Sequence, residues 1–314
     1  MKNRFFSLLI IILICIISFP GCGPQPSDPG DEAQTAAAVS QITDNARVSY
    51  LGPAGTYTEE AAQFFFPTAG ELLPEETVAL AIADIASGSA DYAVILQENT
   101  LGGAVTNNID ALIAEENVYV VGEVILPISQ TLMGVPGASL DDIRTVCSHA
   151  QGITQSAEWR KTYLPDAVTQ EMSSTAAAAS YVAETGDKSI AAIAAPGAAK
   201  LYGLSVLAEN VQITDANRTR FYVLSSAPLS GDTLTHAVFT AVCEANRIDD
   251  IIIEIHNAGL ELVTIHDRPE GSRLGMYNYI IETESKNGIS EEQIGKLSGI
   301  AEIRFLGRFN VIEK

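Results

Sequence analysis

Apolar and polar residues alternate over Arg47-Val48-Ser49-Tyr50-Leu51, and apolar residues then recur at helical spacing through Ala61, Ala62 and Phe65. The first period marks a strand and the second a helix. Between them, Gly52-Pro53-Ala54-Gly55-Thr56 supplies a loop, and Thr56-Tyr57-Thr58-Glu59 carries a hydroxyl and an acid at capping-box spacing. Further along, the pattern predicts helices over residues 79–87, 105–114, 151–163, 176–182 and 196–201. Strands are predicted over 92–96, 118–126, 130–135, 145–148, 168–172, 189–194 and 206–210. Such alternation predicts an α/β fold with largely parallel sheets, whose ligands bind beyond the carboxyl ends of the strands. After Pro228 the order becomes strand 235–244, helix 248–256, strands 260–265 and 276–282, helix 291–297 and an extended stretch 303–311. That is the βαββαβ order of a ferredoxin-like unit.

The N-terminus departs from this pattern. Lys2 and Arg4 precede an apolar run from Phe5 to Phe19, placed like the core of an export signal, and Phe19-Pro20-Gly21-Cys22 resembles the lipobox of bacterial lipoproteins. Residues 1–22 are therefore expected to form a signal with lipidation at Cys22, making the protein an extracytoplasmic, membrane-anchored lipoprotein; an uncleaved N-terminal anchor is the alternative. Residues 23–46 are rich in Gly, Pro, Ser, Asp, Gln and Ala, the composition of a flexible tether. Two folded domains are expected, over residues 47–228 and 233–314.

Composition narrows the partners. Eighteen Lys+Arg against 39 Asp+Glu give a formal charge of -21, which repels nucleic acid and argues against it as a partner. An anionic ligand would have to rely on local cations. Cys147 and Cys243 lie far apart in sequence, so buried thiols are expected rather than a disulfide framework. Four histidines and no paired Cys or His spacing give no reason to expect a metal.

Candidate chemistry concentrates in Asn217-Arg218-Thr219-Arg220-Phe221, where an amide, a hydroxyl, a guanidinium and a ring could face one pocket. Arg220 can grip a carboxylate through two parallel hydrogen bonds, and Thr219 can donate to a departing oxygen. A strand edge with two solvated arginines would read the same way. Glu98-Asn99-Thr100, Ser148-His149-Ala150-Gln151 and Ser173-Ser174-Thr175 each follow a predicted strand and precede a helix, where they could be helix caps or could converge on a site. The loop ending at Thr56 is either a plain turn or an anion site at a helix N-terminus.

Taken in order, these clusters resemble the prephenate dehydratase family. The family's signatures are matched by Leu51-Gly52-Pro53-Ala54-Gly55-Thr56-Tyr57-Thr58, Glu98-Asn99-Thr100, Ser148-His149-Ala150-Gln151, Ser174-Thr175-Ala176, Tyr202-Gly203-Leu204 and Thr219-Arg220-Phe221. The resemblance implies a two-lobed catalytic domain, similar in shape to periplasmic binding proteins, followed by an ACT regulatory domain. It implies decarboxylating dehydration of prephenate to phenylpyruvate, in phenylalanine biosynthesis, without a cofactor. Arg220 would hold a substrate carboxylate, Thr219 would hydrogen-bond the leaving hydroxyl, and Glu98 would be the rival acid. Thr56, Asn99, Thr100, Ser148, Gln151, Ser174, Thr175, Asn217 and Phe221 would line the site.

In the second domain, His266-Asp267-Arg268-Pro269 stands where the family has Glu-Ser-Arg-Pro, while Asn246-Arg247-Ile248 replaces the glycine-led element that helps to bind phenylalanine. Phenylalanine is thus expected to bind weakly or not at all, with the domain joining a homodimer or homotetramer. Arogenate as substrate, or a lipoprotein that only binds a small anion in the same cleft, remain the alternatives.

Overall fold

The computed structural model describes residues 45–314; the expected signal, Cys22 and nearly all of the expected tether lie outside the described residues. Ala46, the last residue of the expected tether, is instead buried in the core. The first lobe comprises β1 (Arg47–Leu51), α1 (Tyr57–Phe65), β2 (Glu71–Glu75), α2 (Val78–Ser87), β3 (Tyr92–Asn99), β4 (Gly103–Ala104), α3 (Thr106–Ala114) and β5 (Tyr119–Pro127). The chain then crosses to a second lobe of β6 (Thr131–Gly134), β7 (Thr145–Ser148), α4 (Ala150–Gln155), α5 (Ala157–Tyr163), β8 (Val168–Glu171), α6 (Thr175–Thr185), β9 (Ile190–Ala194), α7 (Pro196–Leu201) and β10 (Ser205–Ala208). It returns as β11 (Arg218–Ser225). A ferredoxin-like unit follows, with β12 (His236–Glu244), α8 (Ile248–Asn257), β13 (Glu261–Pro269), β14 (Met276–Glu284), α9 (Glu291–Ser298) and β15 (Ile303–Phe309), and the last strand is β16 (Val311–Glu313).

The first sheet runs β16-β5-β11-β3-β1-β2 and the second β10-β6-β9-β7-β8. They are less uniformly parallel than the strand-helix alternation predicts. β11 is antiparallel to both β3 and β5, and β6 is antiparallel to both β9 and β10. Connectivity explains this: a chain that leaves the first sheet through β5 and re-enters from the second lobe must run back along the way it left. The two crossing segments hold each other, through Ile128 N to Asn217 O at 3.0 Å and Val211 N to Gln130 O at 2.9 Å. They form a two-stranded hinge.

Two expectations about elements need correction. The predicted helix over 151–163 is two helices, because the buried Ser156 turns its hydroxyl onto the Gly152 carbonyl at 2.7 Å and starts a new axis. The stretch read as a terminal extension, 303–311, divides between two sheets: β15 closes the C-terminal sheet in the order β13-β14-β12-β15, while β16 pairs in parallel with β5 of the first lobe. The C-terminal unit has its own core, including Phe239, Ile251, Ile255, Ile281 and Leu297. It also shares one with the first lobe, where Val238, Ile280, Leu306 and Phe309 pack against Tyr222, Leu224 and Ile109. The first sheet is therefore covered by α1 on one face and by α2, α3 and the C-terminal unit on the other. Cys147 and Cys243 are both free and buried, as expected.

Candidate active site

At the hinge end of β3 and β11, Asn99 stands opposite Thr219. Both are buried, and a buried amide must spend its hydrogen-bonding groups within the protein. Asn99 Nδ2 donates to Thr219 Oγ1 at 2.8 Å and to Asn217 Oδ1 at 2.8 Å. Its Oδ1 accepts from the Leu101 and Gly102 amides, each at 3.0 Å, and from Gln151 Nε2 of the second lobe at 3.1 Å. Asn217 continues the chain to Gln155 Oε1 at 3.4 Å, which accepts from Gln130 Nε2 at 3.2 Å. The amide network thus ties both lobes and the hinge together. Because Thr219 Oγ1 already accepts from Asn99, its own proton is the one left to donate.

Thr219 and Arg220 do not share a pocket. Side chains alternate along a strand, so they leave β11 on opposite faces. Gln97 is an extra residue in β3 against β11: Glu98 pairs with Arg220 while Leu96 pairs with Phe221. Glu98 consequently sits with Arg220 on the far face, away from Thr219. There the Arg220 guanidinium meets Glu123 through Nε at 2.6 Å and Nη2 at 2.8 Å, and Glu282 of β14 through Nη2 at 2.5 Å. Glu98 Oε2 is 3.6 Å from Nη1 and 4.0 Å from His266 Nε2, and Tyr222 Oη donates to Glu282 Oε2 at 2.8 Å. The side chains of Glu123 and Glu282 are fully buried. Burial, and then the charge of Glu282, push the Glu123 carboxyl up to about 8. Burial opposes the Arg220 charge, but Glu123 and Glu282 outweigh it and raise its pKa. The expectation that Arg220 is a free clamp for a substrate carboxylate, with Glu98 as an acid beside Thr219, is corrected by this geometry.

Other predicted residues divide similarly. Ser148 is fully buried and donates to the Ile193 carbonyl at 2.7 Å, so it supports the second lobe rather than lining a cleft. Phe221 is buried in the core against Val48, Tyr50 and Val223. The Thr100 hydroxyl is held by the Arg218 backbone, donating to O at 3.0 Å and accepting from N at 3.1 Å. Ser174 caps α6, accepting from Ala177 N at 2.9 Å, and Thr175 opens that helix. Thr56 caps α1, accepting from Glu59 N at 3.3 Å; the Glu59 carboxylate reaches the Gly55 amide at 2.5 Å, one residue before the cap.

Thr56 also lines a cavity of about 800 Å³ between α1 and α7, together with Tyr57, Gln63, Ser129 and Lys200. Lys314 lies there too, paired with Glu60 at 2.7 Å. In the C-terminal unit, Arg268 holds Asp110 of α3 at 2.6 and 2.7 Å, between the exposed Asp267 and Pro269, which ends β13. Asn246 and Arg247 form a short 3-10 turn before Ile248 opens α8.

Pattern reading missed Glu123, Glu282, Gln130 and Gln155. A signal existed for the acids: each stands within a strand otherwise rich in apolar residues, and a buried carboxylate requires a cation or a proton. No comparable signal marks the glutamines, whose partners come from distant segments.

Two α/β lobes joined by a double-stranded hinge, with polar side chains meeting between them, define a protein of the periplasmic-binding type. The family can be stated more narrowly. A model of prephenate dehydratase matches residues 48–228. The prephenate dehydratase of Amycolatopsis methanolica is 32% identical over 271 residues, which span 84% of this chain and 88% of that protein. That of Corynebacterium glutamicum is 34% identical over 247 residues, 75% of this chain and 77% of the relative. Among solved structures, a prephenate dehydratase from Arthrobacter aurescens in complex with L-Phe is similar with a TM-score of 0.75 at 29% identity, covering 84% of this chain and 90% of the other. GqqA, described as a novel type of quorum-quenching acylase, is similar with a TM-score of 0.74 at 26% identity, over 85% and 98% of the two chains. The chain belongs to the prephenate dehydratase family.

Proposed function

We propose that the protein is a prephenate dehydratase, converting prephenate to phenylpyruvate by loss of carbon dioxide and the ring hydroxyl. The observation that carries this reading is the buried Asn99–Thr219 pair, in which an amide fixes the hydroxyl and leaves its proton to donate. Departure of hydroxide builds negative charge on the leaving oxygen, and a donor held in place stabilises that charge more than it stabilises the ground state. The ring carboxylate leaves as carbon dioxide and its electron pair restores aromaticity, so the protein has no electron acceptor to supply. Gln151 and Asn217 hold Asn99. Arogenate differs by an amine in place of the side-chain ketone and is the alternative substrate.

The C-terminal unit is, in this reading, an ACT domain that joins subunits. The Arthrobacter relative binds L-Phe; here Arg247 stands in the element replacing the family's glycine, so phenylalanine binding is weak. Export with a lipid on Cys22 completes the proposal, and membrane release on Cys22→Ala checks it. The function itself is tested by incubating the full chain with prephenate at neutral pH and following phenylpyruvate. Catalysed formation is expected. Prephenate binding without turnover would instead favour a small-anion-binding lipoprotein.

A further inference from the structure

We infer that Glu282, contributed by the C-terminal unit, is a positioning residue for Thr219, acting through Arg220 and Tyr222 on strand β11. This rests on the dehydratase reading for its catalytic part. β11 is the only strand of the first sheet, among the described residues, that runs between β3 and β5, and its hinge end presents Thr219. One face of that end is fixed by Asn99. The next residue, on the opposite face, is fixed by two carboxylates, and one of these belongs to β14.

Two residues of β11 reach the same Glu282 side chain: Arg220 takes one oxygen and Tyr222 the other. A carboxylate gripped at both oxygens by residues i and i+2 resists both sliding and twisting of the strand between them. Glu123 of the first lobe already holds two of the guanidinium nitrogens; what Glu282 adds is a connection between units. The surroundings reinforce it. His236 of β12, His266 of β13 and Glu98 of β3 close the periphery, and Arg268 adds a separate clamp to Asp110. The C-terminal unit therefore completes the support of the catalytic strand as well as covering it.

The test compares Glu282→Ala and Glu282→Gln in the full chain. Glu282→Ala leaves Arg220 paired with Glu123 and is expected to fold. It should lower kcat for prephenate by tenfold or more with KM changed less than twofold, and speed amide exchange in residues 218–222 relative to β1. Glu282→Gln keeps one oxygen to accept from Arg220 and turns its amide N–H to the Tyr222 hydroxyl oxygen, and it should recover most of the loss in both measurements. Unchanged kcat and unchanged β11 exchange in Glu282→Ala would overturn the inference, as would a loss that Glu282→Gln fails to recover. If the parent shows no turnover, the dehydratase reading fails, while β11 exchange alone still decides whether Glu282 holds the strand.

Discussion

Thr219 and Arg220 are consecutive, yet one serves the lobe boundary and the other the junction with the C-terminal unit. From the sequence, their adjacency reads as a shared pocket; the alternation of a strand separates them, and only knowledge that β11 is central, with both faces buried, makes that consequence visible. Thr219 stands out in the sequence within the Asn217–Phe221 run, but its partner Asn99 comes from the distant strand β3 and is visible only in the fold. Ser148 was not, since a buried hydroxyl serving a carbonyl looks the same in sequence as one lining a cleft. Ser148→Ala should cost about 1–3 kcal/mol of stability by leaving the Ile193 carbonyl unpaired, with KM for prephenate unchanged. Urea unfolding and steady-state kinetics of the same variant check both parts. Gly152→Ala makes a sharper case, because a Cβ there would overlap Ser148 Oγ beneath α4. A destabilisation of about 1–3 kcal/mol is expected, the range for overpacking a filled site.

Among elements, most strands and helices followed from hydrophobic period and caps. Besides the split helix and the divided terminal stretch, β2 and the direction of β11 did not, for physical reasons. β2 carries Pro74, which lacks an amide proton and obscures a strand at the sheet edge, and the reversal of β11 depends on the chain's path through the second lobe rather than on its composition. The carboxylate pair on β5 and β14 also gives β11 a pH-dependent hold. Glu123 is raised to about 8 from an ordinary value of 4.5, so the folded state holds a proton that the unfolded chain gives up. Its contribution to stability is fully present below about 4.5, declines as pH rises, and is lost through about 8. Unfolding free energies measured at pH 5.5, 7 and 8.5 should fall along that series for the parent, and Glu123→Gln should flatten the fall. A steeper fall in the variant would contradict the assignment.

For the whole molecule, the ferredoxin-like unit was legible from the order of elements and the two lobes from the family resemblance, but their junction was not. It is built from β16 returning to the first sheet, from a shared apolar core and from contacts such as Gly307, where φ is +143° and a Cβ would overlap the Val120 carbonyl of β5. Nothing local in the sequence records such a close approach. Gly307→Ala should loosen the junction, and limited proteolysis should then cleave between residues 225 and 236 sooner than in the parent. Isothermal calorimetry of the intact chain with phenylalanine should show weak binding, given Arg247 in the replaced element; tight binding would show that this replacement does not govern the site.

The central claim is that the Thr219 hydroxyl, fixed by Asn99, stabilises the departing hydroxide, and single-turnover conversion of prephenate by the parent, Thr219→Ser and Thr219→Ala tests it most directly. Thr219→Ala should slow the chemical step by about 2–4 kcal/mol, the range for removing one preorganised donor, while Thr219→Ser retains most of the rate. Equal rates in the parent and Thr219→Ala, with both folded and both saturated with prephenate, would contradict the account.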